Sequence, residues 1–495
     1  MIRPNATGKQ GFAGTALERA TVSCLNGRSG ATATSRSGLT AQALPCLSAL
    51  VRMERHGYKV TATNHPEFRE MLRVFARIGI LSFGGPAGQI ALMHRELVDE
   101  RQWVSEDQYL HALNFCHLLP GPEAQQLATW IGWKLHGLRG GLAAGLLFVL
   151  PGALVILALT ILYAFAARLN WFAALFLGIK SAVLAIVVQA LLRVAGRALN
   201  TGFKKALSVV AFLALFLFDA PFPLVVLGAG ALGMAVAALR PDWLAIKAGL
   251  APAPSSARPW RQTLLTLVAW GAIWAAPMLL VLVTLGRGHV LWQVGSFFSQ
   301  LAVVTFGGAY AVLAYMAQQS VQHFGWLNAG EMADGLGLAE TTPGPLIMVT
   351  QFVGYLAAFR SPEPFSPLIA GLLGAALTTW VTFAPCFLWI FTFAPWIERM
   401  ENSPRLKGGL AALTAAVVGV IANLSAWFFI HVLFARVAVL TAGPLRITSP
   451  DFATFDWRAG LLAVISALLL FRLKWNIIRV LAVAAAGGLL LGLAF

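Results

Sequence analysis

Charged residues are scarce in this sequence. Asp, Glu, Lys and Arg account for 11% of the 495 residues and hydrophobic residues for 58%, whereas a soluble domain typically has about 25% charged residues. A chain this apolar can satisfy its backbone hydrogen bonds in lipid only as helices or as a closed barrel. The apolar runs do not alternate and far exceed the roughly 10 residues of a barrel strand. The composition therefore predicts an all-α polytopic membrane protein.

Cysteine is rarer still, and catalytic motifs are absent. The four cysteines, Cys24, Cys46, Cys116 and Cys386, form no CxxC pair and no metal-ligand spacing, so we expect neither a disulfide framework nor a zinc site. The sequence has no HExxH, GxSxG or Walker A motif, which argues against an enzyme and against a nucleotide-driven pump. We expect no catalytic residues, no metal and no cofactor. A membrane-embedded enzyme or a lipid-handling protein stays open as an alternative of a different class.

Acidic residues are outnumbered by basic ones, 20 against 36, which gives a formal net charge of +16. Basic stretches with interleaved aromatics, which would suit the stacking of nucleic-acid bases, are absent. In so apolar a chain we interpret the excess as loop Lys and Arg residues that face an anionic leaflet. The expected partner is the lipid bilayer and not nucleic acid.

The first 65 residues have few acids and lack an apolar run of spanning length. Glu18 is the only acid before Glu54, and Gly, Ser, Thr, Ala and Arg are abundant, a composition similar to that of a transit peptide. We interpret residues 1–65 as a disordered tail, or as the result of an upstream start with Met53 as the true initiator. We assign them no function.

What the sequence does contain is a motif that occurs twice. Ser82-Phe83-Gly84-Gly85-Pro86, Trp103 and Pro120-Gly121-Pro122 return as Thr305-Phe306-Gly307-Gly308, Trp326 and Pro343-Gly344-Pro345, all displaced by 223 positions. Further along the displacement becomes 234, so that Pro151 corresponds to Pro385. Such self-similarity indicates a tandem duplication. We divide the chain into a first repeat at 66–239, a linker at 240–262 and a second repeat at 263–495.

Each repeat begins with an apolar segment that is interrupted. In residues 71–93 the interruption includes Gly84, Gly85 and Pro86, and glycine and proline weaken or kink a helix interior. A broken or re-entrant helix tolerates them where protein or a water-filled cavity surrounds it. The second broken segment is 291–316. Further helical segments are predicted at 106–119, 123–135, 140–166, 171–193, 204–220, 222–239, 263–286, 343–358, 366–394, 408–434, 459–472 and 475–494.

Positive charge predicts how these segments are oriented. Arg193, Arg197, Lys204 and Lys205 fall in one loop and Arg240 begins another, so we place both loops in the cytoplasm. Counting spans from there separates the two repeats by an odd number of crossings, which makes them inverted in the membrane. Inverted repeats with broken helices at corresponding positions indicate a secondary transporter.

The interruptions themselves are the predicted binding site. The N-termini of half-helices present unpaired N–H groups and a partial positive charge, which suit an anion. Glycine lets the backbone approach a ligand closely. The alternative is that these glycines only allow tight helix packing. Because a glycine pair and a Pro-Gly-Pro turn occur twice at the same spacing, we favour the binding site.

The first motif also resembles a known signature. Phe75-Ala76-Arg77-Ile78-Gly79 leading into Ser82–Pro86, with Val98, Trp103 and Pro120-Gly121-Pro122, is similar to the signature of the chromate ion transporter (CHR) family. The resemblance covers about residues 70–495 and suggests the long-chain, two-domain branch. The second copy is looser, because Thr305 replaces Ser82 and Ala309 replaces Pro86.

This resemblance implies a function and a location. It implies secondary active efflux of chromate across the bacterial inner (plasma) membrane by a multi-pass protein, and hence chromate resistance. Coupling to protons and exchange with sulfate are both open, and sulfate is also the expected competitor. A homodimer is compatible with the resemblance. Export of another small anion is the alternative transport function.

The candidate site residues follow from the motif and from the chemistry of a tetrahedral dianion, which needs several hydrogen-bond donors. The predicted substrate-binding residues are Ser82, Phe83, Gly84, Gly85, Gln89, Pro120, Gly121, Pro122, Gln126, Lys180, Thr305, Gly307, Gly308, Thr342, Pro343, Gly344 and Pro345. Lys180 is included because an ionisable group near the middle of a span is costly and functional by default, although its side chain could instead snorkel. Glu123 and Glu340, near the two turns, are predicted to exchange protons. The alternative for Glu123 is an acid that stabilises a helix N-terminus.

Overall fold

The computed structural model describes residues 65–83, 85–166, 169–245, 260–306, 309–396, 403–443 and 445–494. Most of the predicted tail and linker lies outside the described residues, as do Gly84, Gly307 and Gly308 of the predicted site. The division into a tail, two repeats and a linker stays a prediction.

The described chain is built almost wholly from helices. In chain order the α-helices are α1 (Phe68–Leu81), α2 (Gly85–His94), α3 (Glu106–Leu118), α4 (Glu123–Ala166), α5 (Asn170–Ala198), α6 (Gly202–Phe218), α7 (Phe222–Leu239), α8 (Trp260–Leu285), α9 (Val290–Val304), α10 (Ala309–Gln318), α11 (Ala329–Thr341), α12 (Val349–Arg360), α13 (Pro367–Phe393), α14 (Pro404–Leu433), α15 (Trp457–Ala467) and α16 (Ile477–Ala494). Short 3₁₀ or π segments extend or link them at Arg95–Glu100, Pro241–Leu244, Gln319–His323, Leu346–Met348, Ala394–Trp396, Phe452–Thr454 and Leu468–Arg472.

Seven of the described helices are long and apolar enough to cross a membrane: α4, α5, α7, α8, α13, α14 and α16. Their outward faces are strongly apolar, and on α8 the side chains of Leu265 and Val283 are 69% and 84% exposed. Large apolar surfaces of this kind are unfavourable in water and suit a lipid environment. The predicted all-α polytopic membrane protein is therefore confirmed.

A β-hairpin departs from the purely helical class that the sequence predicts. Strands β1 (Val437–Ala442) and β2 (Leu445–Pro450) pair antiparallel, with Val439 opposite Thr448. β-branched residues are common in both strands, and such residues favour extended backbone. Arg446 binds Asp219 at 2.5 Å, so the hairpin lies at the same end of the molecule as the turn between α6 and α7.

The helices are interrupted at the two positions where the motif recurs. Helix α1 ends at Leu81 and α2 begins at Gly85, while α9 ends at Val304 and α10 begins at Ala309. Each interruption is followed, after two further helices, by a Pro-Gly-Pro turn that separates α3 from α4 and α11 from α12. Gly121 and Gly344 adopt φ values of +120° and +96° in these turns, a region that a residue with a Cβ rarely enters.

After each turn the chain folds back, and the two helical segments that result cross closely at a pair of glycines, which we call the glycine crossing. Helix α4 is non-helical at His136 and Gly137, so its two halves pack against each other. A Cβ on Gly140 would come closer than 3.0 Å to the carbonyl oxygen of Gly132, and one on Gly374 would come as close to that of Gly354. Gly140 and Gly374 are 234 positions apart. Both repeats therefore use paired glycines for a close approach of two helices.

Contacts between loops show which helix ends lie together. The rings of Phe68 and His136 are 5.4 Å apart, and those of Phe165 and Phe359 are 5.7 Å apart. His289 Nε2 lies 2.7 Å from the carbonyl oxygen of Glu363. The start of α1 therefore lies beside the bend of α4, whereas the C-terminal end of α4 lies beside the end of α12.

The glycine crossing predicts a specific sensitivity to a single methyl group. We expect Gly374→Ala to destabilise the protein by about 1–3 kcal/mol, because the methyl group would overpack the crossing against backbone. Gly271→Ala is the matched control, since a Cβ there meets no atom within 4 Å. Thermal unfolding of the detergent-solubilised protein measures both. Equal midpoints for the two variants would show that the crossing is not tightly packed.

Candidate functional site

The two Pro-Gly-Pro turns each bind the opposite repeat. The Gly121 N–H donates to the Thr305 carbonyl oxygen at 2.8 Å, and the Gly344 N–H donates to the Ser82 carbonyl oxygen at 2.9 Å. Both members of one bond are displaced by 223 positions from the members of the other. Each turn thus satisfies a carbonyl left open where the broken helix of the other repeat ends, and the exchange is reciprocal.

Packing around the turns repeats the same exchange. A Cβ on Gly121 would lie 3.0 Å from Cys386 Sγ, and one on Gly344 would lie 3.1 Å from Gly152 Cα. Positions 152 and 386 are 234 residues apart, and each directly follows a proline of its helix, Pro151 or Pro385. Each turn is therefore pressed against the proline-bearing helix of the opposite repeat, α13 for the first turn and α4 for the second.

Glutamine side chains break this symmetry. Gln89 Nε2 donates to the Gly344 carbonyl oxygen at 2.6 Å, and Gln126 Nε2 donates to that of Pro120 at 2.7 Å. The equivalent residues of the second repeat are valines, at positions 312 and 349. The first repeat therefore supplies these two amides, and Gln89 joins its own broken helix to the turn of the other repeat.

A narrow cleft of about 10 Å³, which is roughly the space for one water molecule, lies where the two turns meet. It is lined by Pro86, Gln89, Pro122, Glu123, Ala124, Pro345, Leu346 and Ile347. These residues include Pro86 in the first turn of α2, and the first residues of α4 and of the 3₁₀ segment that leads into α12. Three helical N-termini thus converge on one cleft that both repeats line, and such N-termini carry partial positive charge and free N–H groups.

Several buried polar atoms around the turns have no hydrogen-bond partner in the described part of the chain. They are Ser82 Oγ, both side-chain polar atoms of Gln125, Gln126 Oε1 and Gln351 Oε1. Burying an unsatisfied polar atom costs about 1–3 kcal/mol, so each requires an explanation. A polar solute at the turns would supply partners to these atoms.

The predicted hydroxyl donors are not equivalent. Thr305 Oγ1 donates to the Leu301 carbonyl oxygen at 2.6 Å, and Thr342 Oγ1 donates to that of Ala339 at 3.3 Å. Both threonine protons are therefore directed at their own helices. Ser82 Oγ is buried and keeps its proton available, whereas Phe83 beside it is half-buried. The remaining predicted residue of the second turn, Pro343, directs its carbonyl towards Gly152.

The two predicted proton-exchanging acids have different surroundings. Glu123 Oε1 lies 2.9 Å from His117 Nδ1 and the Glu123 side chain is 10% exposed at the cleft. Glu340 is 6% exposed and lies near the end of α11, just before the second turn. His117 and Glu340 are equivalent positions, so each repeat has one ionisable residue at this point.

Lys180 does not line the cleft. It lies in α5, which packs against α11 where Ile179 meets Gly337. Its positive charge acts on Asp334 of α11. Sequence reasoning missed Asp334, although a carboxylate in an apolar segment less than three helical turns before a Pro-Gly-Pro turn is a usable signal.

Comparisons with known proteins identify relatives over most of the chain. The family model described as Chromate transporter matches residues 69–234 and 292–491. A chromate transport protein of Pseudomonas aeruginosa is 32% identical over 81% of this chain and 90% of its own length. A probable chromate transport protein of Synechococcus elongatus is 29% identical over 81% of this chain and 91% of its own length. No solved structure gives a significant match.

The buried hydrogen bond from Gln89 to the Gly344 carbonyl oxygen predicts a loss of stability on substitution that an exposed glutamine should not show. We expect Gln89→Met to lower stability by about 1–3 kcal/mol, because the Gly344 carbonyl oxygen loses a buried donor while the side-chain volume is kept. Gln293→Met removes an exposed glutamine amide and serves as the control. Thermal unfolding measures both, and an unchanged midpoint for Gln89→Met would show that the hydrogen bond contributes nothing.

Proposed function

Because the chain belongs to the chromate transporter family, we propose that it exports chromate from the cytoplasm across the bacterial plasma membrane by secondary active transport and so confers chromate resistance. The observation that carries this proposal is the cleft at which three helical N-termini from both repeats converge. Family membership makes the protein a transporter rather than a membrane enzyme or a lipid-handling protein.

An inverted arrangement of the two repeats is part of the proposal. Phe68 lies against His136, so the first repeat's broken helix starts at the face to which the chain returns after the first turn. Phe359, the counterpart of His136, lies instead against Phe165 at the far end of α4. The corresponding points of the two repeats thus lie at opposite ends of one spanning helix, which supports two re-entrant pairs that enter from opposite faces.

Loop contacts support the orientation. Thr201 Oγ1 donates to the Trp243 carbonyl oxygen at 2.6 Å, which brings together the basic loops that precede α6 and follow α7. We place these loops in the cytoplasm. Asp219 and Arg446, bound to each other at 2.5 Å, then lie on the outer face.

The anion would be held mainly by backbone. The first turns of α2 and α4 and the side chain of Gln89 line the cleft. Ser82 Oγ, both side-chain polar atoms of Gln125 and Gln126 Oε1 are buried polar atoms without a hydrogen-bond partner in the described part of the chain. An ionised Glu123 in the same cleft opposes a dianion, whereas a Glu123 that binds a proton does not. We therefore keep Glu123, together with Glu340, as proton-exchanging groups whose ionisation is linked to anion binding.

The charge of the substrate supports outward transport. Moving one elementary charge across 100 mV is worth about 2.3 kcal/mol, so a dianion leaving a negative interior gains about 4.6 kcal/mol per 100 mV. Efflux of chromate therefore needs no nucleotide. Sulfate has the same charge and shape, and we propose it as a competitor or exchange partner.

Export of another small anion is the second candidate. Backbone N–H groups and helix dipoles recognise charge and geometry and do not distinguish the central atom of a tetrahedral oxyanion. A relative from Methanocaldococcus jannaschii, 22% identical over 88% of this chain, is described only as an uncharacterized transporter. A homodimer also stays a proposal.

Chromate flux tests the function. We expect inside-out vesicles that contain the protein to accumulate chromate when the vesicle interior is made positive, and we expect excess sulfate to reduce this uptake. Gly344→Ala should abolish it, because alanine disfavours φ near +96°, while Gly271→Ala should transport normally. Sulfate uptake without chromate uptake would support the second candidate, and uptake of neither anion would refute the proposal.

A further inference from the structure

Asp334 is a carboxylate inside the helical core that the proposed anion site does not use. It lies on α11, and its Oδ2 accepts a hydrogen bond of 2.7 Å from the Tyr163 hydroxyl. Its Oδ1 is buried and has no hydrogen-bond partner in the described part of the chain. Tyr163 itself is 4% exposed and is enclosed by the rings of Phe172, Phe176 and Phe352.

Charged groups approach Asp334 from the helices packed around it. Lys180 of α5 supplies a positive charge and Glu331, one turn earlier on α11, a negative one. Glu331 is paired with Arg360 of α12, whose Nη1 donates to Glu331 Oε2 at 3.0 Å. Helix α14 also packs on α11, but Arg405, Lys407 and His431 lie in its first and last turns, and no interaction of theirs with Asp334 occurs among the described residues.

These surroundings act on the carboxylate in opposite directions. Removal from water favours the neutral acid, whereas the Tyr163 hydrogen bond and the Lys180 charge favour the ionised form. A group balanced in this way changes its ionisation when one neighbour moves. Helix packing alone does not require Asp334 and Lys180. The equivalent of Asp334 in the first repeat is His111, and the equivalent of Lys180 in the second repeat is Thr414.

The position of Asp334 links an outer helix end to the second turn. Asn328 caps α11, and the Glu331–Arg360 pair lies in its first turn. The other end of α11 leads through Thr342 into the turn that binds the Ser82 carbonyl oxygen. A change at Asp334 therefore acts on the helix that carries one of the two exchanged turns.

We propose that Asp334 is a proton-binding group of the transport cycle, with Tyr163 and Lys180 as its positioning residues. The proton is taken up at the unpaired Oδ1 while Tyr163 keeps its hydrogen bond to Oδ2, and its release restores the carboxylate beside Lys180. This inference rests on the proposed anion export and assigns to it a coupling residue that lies outside the cleft.

The test measures chromate and proton movement together. Purified full-length protein is reconstituted in liposomes, chromate flux is driven by an imposed potential, and an internal dye reports pH. We expect the wild type to move protons with chromate, and we expect Asp334→Asn to keep chromate flux while losing both proton movement and the dependence of flux on pH. Glu70→Gln, an exposed carboxylate of α1, is the control and should behave as wild type.

A second variant keeps the test decisive if Asp334→Asn does not fold. Tyr163→Phe removes the hydrogen bond that favours the ionised carboxylate, so the midpoint of the pH profile should rise by about one pH unit. A purely structural role for Tyr163 would lower flux equally at every pH and leave the midpoint unchanged.

The outcomes separate the two proposals. Absence of chromate flux in the wild type would overturn the proposed function itself. Chromate flux without proton movement, or full proton movement and an unchanged pH profile in Asp334→Asn, would overturn the assignment of Asp334 alone. An unchanged midpoint in Tyr163→Phe would overturn it as well.

Discussion

The architecture depends on one constraint, which is that backbone N–H and C=O groups within a bilayer must find partners inside the protein. A helix that breaks in the apolar layer exposes such groups. Here each break is satisfied by a turn of the other repeat, through the Gly121–Thr305 and Gly344–Ser82 hydrogen bonds. Each repeat thus satisfies the broken helix of the other. The same requirement places both turns at one point, where the cleft forms.

The two halves are equivalent in backbone and different in side chains. The exchanged bonds, the glycine crossings and the packing of Gly152 and Cys386 obey the internal repeat. The amides of Gln89 and Gln126 have no counterpart in the second repeat, and neither Asp334 nor Lys180 is matched by the same residue in the other repeat. The repeated backbone therefore supplies the N–H groups that we propose bind the anion, while residues without a counterpart in the other repeat add the polar and ionisable side chains.

Much of the fold could be predicted from the sequence, because length and hydropathy define spans and glycine and proline mark interruptions. The ends of α1 and α9 at Leu81 and Val304 fall where the motif places them. The hydrogen bonds exchanged between the two turns and the two broken helices could not be predicted, because a local motif does not show which distant segment will pair with its backbone groups. The same limit applies to the site: the directions of the Thr305 and Thr342 hydroxyls and the hydrogen bond between Tyr163 and Asp334 depend on helix rotation.

The central claim is that the exchanged turns enclose the transported dianion. It is tested most directly by cryo-electron microscopy of the protein with tungstate, a heavier tetrahedral dianion that scatters more strongly than chromate. The account predicts a density peak within the cleft, between Pro86, Pro122 and Pro345, contacted by the first N–H groups of the adjoining helices. A tungstate peak elsewhere, with the cleft closed by protein side chains, would contradict it.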